Sequence, residues 1–170
     1  MNVIEAIQTK RAVRHFGDQP IPRPLATQIL NAGRRAASSK NTQPWRFLAI
    51  THKPTLADLA QCGEWAGHIA GAAMAVAILT PDPSERFQTM FDCGQAAAHM
   101  QLAAWELGIG SCPASIYQPE QARAILGFGQ EWHLRIVLSF GYPLKTDALT
   151  SPNKAGGRRS LDEVVTWIEG

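Results

Sequence analysis

The sequence predicts an α+β fold built around one long helix. Three observations carry that expectation. Residues 85–107 are apolar or alanine over most of a helical circumference, the pattern of a buried or interface helix. Residues 45–51, 73–80 and 134–141 have strand length and apolar character, and turn formers or helical patterns separate them. The 170 residues are 45% hydrophobic, enough for the core of a single domain spanning 1–170.

Each element follows from local chemistry. Asn2 and Glu5 have capping-box spacing and Ile4 and Ile7 share a face, which predicts a helix over 2–10. After a loop over 11–20, Pro22 and Pro24 lead into a helix to about Ala37, with Leu25, Ile29, Ala32 and Ala36 on its apolar stripe. Residues 38–44 are polar and helix-breaking, and the strand 45–51 follows. Helices near 55–62 and 65–70 precede the strand 73–80, and Pro81 and Pro83 break the chain. In the long helix, Gln88, Asp92, Gln95, His99 and Glu106 form one narrow polar stripe. Gly108-Ile109-Gly110 stops it, 111–116 reads as extended, and 119–126 as helical. After the strand 134–141, residues 145–159 are irregular, and Ser160 to Glu163 caps a last helix to Glu169. This alternation of helices and strands leaves a doubly wound sheet open.

Charged residues are 18% of the chain, below the roughly 25% of ordinary soluble domains. With 25 alanines besides, the composition points to a surface that another protein surface covers. A net charge of +2 argues for neither nucleic acid nor membrane. Residues 1–46 nevertheless carry eight Lys/Arg against Glu5 and Asp18. That local excess suits a phosphate-bearing ligand or is the solvated face of ordinary helices. Three cysteines without C-x-x-C spacing give no disulfide framework, and no secretory pattern opens the chain. The most apolar run, 69–79, falls short of the ~20 residues of a membrane helix. A cytoplasmic address is expected. The five histidines lack metal-ligand spacing, so no metal site is expected. Neither a P-loop nor a nucleophile elbow is present, and Gly108-Ile109-Gly110 ends a helix where a dinucleotide turn would begin one.

Two stretches carry chemistry. Lys10-Arg11-Ala12-Val13-Arg14-His15-Phe16 sets three cations at a helix end, able to close on a phosphate. Ala37-Ser38-Ser39-Lys40-Asn41-Thr42-Gln43-Pro44-Trp45 offers hydroxyls, amides and exposed backbone. Together, and at this separation, they resemble the N-terminal signature of the flavin-dependent nitroreductase family. The resemblance continues through Asp92-Cys93-Gly94-Gln95, Leu107-Gly108-Ile109-Gly110-Ser111, Ser139-Phe140-Gly141-Tyr142-Pro143 and Arg158-Arg159-Ser160-Leu161-Asp162-Glu163. It spans essentially the whole chain.

The resemblance implies a central mixed or antiparallel sheet flanked by helices, an intertwined homodimer, and FMN at the subunit interface. By position, Lys10, Arg11, Arg14 and Arg158 would hold the FMN phosphate. Ser38, Ser39 and Asn41 of the partner subunit would face the ring and ribityl chain. Backbone at Pro113, Ala114, Ser115 and Ile116 would line the isoalloxazine, with one amide near its N5. The implied activity is ping-pong, two-electron reduction of a nitroaromatic, quinone or free flavin by NADH or NADPH. No side chain is expected to be an obligatory acid or base. A same-fold flavoenzyme of other chemistry (dehalogenase, flavin destructase or ring oxidase) and a non-catalytic FMN-binding protein remain open. Lys10, Ala12, Ala37 and Gly156 depart from the usual Arg, Ser, Pro and Lys/Arg, which implies looser FMN retention. Almost nothing is inserted between the strand 73–80 and the long helix, so an open or partner-built pocket is expected.

Overall fold

Four strands pair in the order β1-β2-β4-β3: β1 Arg46–Ile50, β2 Met74–Thr80, β3 Gly110–Ser115 and β4 His133–Gly141. All three pairings are antiparallel, which settles the sheet type and removes the doubly wound alternative. The computed structural model describes residues 2–145 and 157–169.

Alternation along β2 divides the core in two. Met74, Val76 and Ile78 face one layer, with Ile29 of α2 (Arg23–Arg34) and Met100 and Ala104 of α4 (Gln88–Glu106). Ala75, Ala77 and Leu79 face the other, with Leu56 and Leu59 of α3 (Lys53–Leu59) and Ala122 of α5 (Pro119–Leu126). Every residue of β2 is therefore buried. The first helix, α1 (Val3–Thr9), starts at the predicted capping box, where Asn2 Oδ1 accepts from the Glu5 amide at 2.9 Å.

Four expectations need correction. Helix α2 stops at Arg34, three residues early, because the Arg35 N–H turns back to carbonyls of the last turn and the polar loop takes over. The helix expected near 65–70 is a single 3-10 turn, Gly67–Ile69. The long helix begins at Gln88, three residues later than expected, and within its polar stripe Asp92 is buried while His99 and Glu106 are exposed. The C-terminal helix is absent: Ser160 and Glu163 pair as a cap would, Ser160 N to Glu163 Oε2 at 2.8 Å, yet only a turn follows. Leu161, Val164, Trp167 and Ile168 lie exposed there, so no core contact within the chain supports a helix that short. Residues 146–156, which include Gly156, lie outside the described residues.

Candidate flavin site along the β3 edge

The pairing register decides which backbone groups β3 offers. Ala114 pairs with Val137, Cys112 with Ser139, and Ile116 N donates to Arg135 O at 2.8 Å. Ladder alternation then turns Cys112, Ala114 and Ile116 toward β4, and Ser111, Pro113 and Ser115 toward the open edge. Ser111 O already accepts from Val13 N at 2.9 Å, and proline has no N–H. Ser115 N–H thus points out of the edge without an intrachain partner among the described residues. The side chains of Ala114 and Ile116 are buried in the core, so only backbone from these two could line a ligand.

Cations gather at the start of this edge. Bonds from Val13 N to Ser111 O, Gly17 N to Tyr142 O and Leu144 N to His15 O tie the N-terminal loop to the sheet. Gly110 allows this approach, because a Cβ there would stand 2.6 Å from Val13 Cβ. Lys10 donates to Gln101 Oε1 of α4. Burial lowers the Lys10 pKa; the neighbouring Cys112 raises it and the charge of Arg158 lowers it. Burial raises the pKa of the Cys112 thiol against the pull of the nearby Arg14 and Lys10. Two of the four predicted phosphate ligands, Lys10 and Arg14, therefore lie beside Cys112, and Arg158 lies close enough to Lys10 to act on it. Arg11 is half-buried on the same turn.

A second wall comes from the segment between α3 and β2, which carries no motif pointing to this place. A Cβ on Gly63 would lie 2.2 Å from Ser115 O, so only glycine lets this segment pass so close. His68 Nδ1 lies 2.8 Å from Ser139 Oγ, which donates to Cys112 O at 3.1 Å. The Pro113 carbonyl lies beside the ring and favours its protonated form. Gln61, Gly63, Glu64, Tyr117 and Gln118 border a groove of about 530 Å³ at the far end of the edge.

Ser38, Ser39 and Asn41 sit elsewhere, on the loop between α2 and β1. Lys40, Asn41 and Gln43 there all have positive φ, 53°, 54° and 46°. Side chains hold these costly conformations: Asp92 Oδ2 accepts from Ser39 N at 3.0 Å, and Ser38 Oγ accepts from Gln43 N at 2.9 Å. Among the described residues no hydrogen bond links this loop to the cationic cluster, so one chain keeps the two predicted halves apart.

A model of the nitroreductase family matches residues 7–62 and 61–142, most of the chain. The chain belongs to the nitroreductase family. Among its relatives, the NADH dehydrogenase of Thermus thermophilus is 25% identical over 195 aligned positions, covering 93% of this chain and 92% of that protein. The FMN-dependent nitroreductase of Clostridium difficile superposes with a TM-score of 0.84 at 25% identity, over 99% of this chain and 100% of its own. The NADPH:FMN oxidoreductase of Vibrio harveyi shares the fold, with a TM-score of 0.76 at 19% identity over 95% and 80% of the two chains. No described helix is long and apolar enough to cross a membrane.

Proposed function

We propose that this member of the nitroreductase family is an FMN-dependent NAD(P)H oxidoreductase that reduces a nitroaromatic, quinone or similar small acceptor by two electrons. One observation carries the reading: a cluster of cations stands at one end of an open strand edge whose Ser115 N–H points outward. The donor set fits FMN, with positive charge for a phosphate and a backbone edge for a flat heterocycle. When bound, FMN would supply the redox chemistry, taking hydride from NADH or NADPH and passing electrons to the acceptor in a ping-pong cycle.

The chain's own part is binding and orientation. Lys10, Arg11, Arg14 and Arg158 offset the phosphate charge. Backbone of residues 113–116 would line the ring, and the outward Ser115 N–H would be the donor offered to it. Gly63 lets the opposing wall approach the Ser115 carbonyl closely. The groove beside Tyr117 and Gln118 leaves room for the acceptor. No side chain is assigned as catalytic acid or base.

Ser38, Ser39 and Asn41 complete the site from a second copy, so the active species is a homodimer. Helix α4 presents an exposed stripe at 87, 91, 94 and 98, with Phe91 70% exposed. The C-terminal residues Trp167 and Ile168 are 75% and 96% exposed. Such apolar surface suits a mate.

Two measurements test the reading. Purified protein is expected to be yellow, or to become so on adding FMN, and to bleach anaerobically with NADH or NADPH. A protein that takes up no FMN refutes it, and one that binds FMN without bleaching is a passive flavin carrier. Arg14→Ala is expected to weaken FMN retention by about 1.5–3 kcal/mol, the weight of a charge-assisted bond.

A further inference from the structure

His68 is part of no motif, yet it occupies a defined place on the β3 edge. Its Nδ1 is fixed at 2.8 Å from Ser139 Oγ, a hydroxyl of a fully buried residue that is itself anchored on Cys112 O. The Pro113 carbonyl, an outward group next to Ser115, lies beside the ring and favours its protonated form. His68 itself is half-buried. An imidazole held at Nδ1 by a buried hydroxyl has lost the freedom of a surface histidine, and its other nitrogen is left to take up a proton.

We infer that His68 is the proton-linked positioning residue of the flavin site, taking up a proton when an anionic flavin settles on the β3 edge. This rests on the FMN reading above. The charges around it fix the direction. Arg14 faces it from the N-terminal loop, with Cys112 on β3, Lys10 beside that thiol and Arg158 near Lys10. The adjoining segment carries Glu64, Cys62 and Asp58, and Lys53 of α3 is bonded to Ala72 O. Burial first, and then the charge of Arg14, lower the His68 pKa in the ligand-free chain, while the Pro113 carbonyl opposes them. A bound anion offsets the charge of Arg14 and removes one reason for His68 to stay neutral. The pKa in the complex is then higher than in the free protein. By linkage, binding tightens as pH falls through the bound-state value and levels off below the free-state value.

The test is FMN binding to the full-length protein from pH 8 to pH 5, followed by calorimetry in buffers of different ionisation enthalpy. His68→Gln keeps a polar side chain but cannot titrate. The native chain is expected to take up more protons on binding than the variant. The affinity ratio of native to variant is expected to widen severalfold as pH falls across the range. The phosphate of FMN titrates identically in both, so the difference belongs to His68. Ser139→Ala, which frees the ring, is expected to fall between the two. Equal proton uptake by native and H68Q, with both binding FMN, overturns the role of His68 alone. Failure of both to bind FMN overturns this inference together with the proposed function.

Discussion

Asp92 shows how one buried side chain governs a loop several turns away. Its carboxylate accepts from the Ser39 amide where Lys40, Asn41 and Gln43 hold positive φ. Asp92→Ala leaves that amide without its acceptor and is expected to cost about 1–3 kcal/mol in chemical denaturation. Asp92→Asn keeps an oxygen in place and is expected to cost less. Loss of FMN retention should follow the same order if the loop serves the ligand. His68 makes a second prediction at this scale, without any ligand. Its folded pKa lies below the 6.5 of a free imidazole because of burial and Arg14. The unfolded chain therefore binds more protons between the two values, and His68's contribution is fully present above 6.5 and is lost as pH falls through the folded value. Melting curves of native and H68Q should diverge on acidification, with the native chain losing more.

At the scale of the element, the free edge of β3 depends on what the neighbouring segment leaves open. Gly63 is extended, with φ −157°, so any residue could adopt its backbone and the constraint there is space alone. An added methyl would meet the Ser115 carbonyl at 2.2 Å, and a paired strand cannot easily retreat. At Gly33 the methyl would meet the Met100 side chain at 2.7 Å, a flexible thioether able to change rotamer. Gly63→Ala is therefore expected to lower stability by about 1–3 kcal/mol and to disturb FMN binding, and Gly33→Ala to cost less and spare binding. Strands, α5 and the capping box of α1 were legible because apolar period, proline and caps are local signals. So was the cation cluster, since Lys10, Arg11 and Arg14 fall in one motif. His68, Ser139 and Gly63 were not legible, because 3-10 turns carry no period and their partners lie up to 71 residues away. The expected C-terminal helix failed for a related reason: its capping residues are present, but nothing in the chain covers its apolar side.

That uncovered side belongs to the whole molecule. The low charge and high alanine content suggested small residues packing α4 against a twofold mate, and the structure redistributes them. Ala96 and Ala104 are fully buried in the chain's own core, so they are spent within the subunit. What α4 leaves outside is larger, Phe87 and Phe91 with Gly94 and Ala98 at spacings of three and four. Val3, Ile4 and Ile7 of α1 and Trp167 and Ile168 of the tail add exposed apolar side chains. Isolated exposed side chains are ordinary, but this many on three segments suit a twofold contact. Phe91→Asp places a charge on the α4 stripe without touching the core, so the subunit should fold while association weakens. Sedimentation is expected to show a dimer for the native chain and a concentration-dependent shift to monomer for F91D. FMN should be lost along with the dimer, because Ser38, Ser39 and Asn41 would no longer reach the cation cluster of a mate. A variant that stays monomeric yet binds FMN as tightly as the native chain would place both halves of the site on one subunit and remove the dimer from the argument.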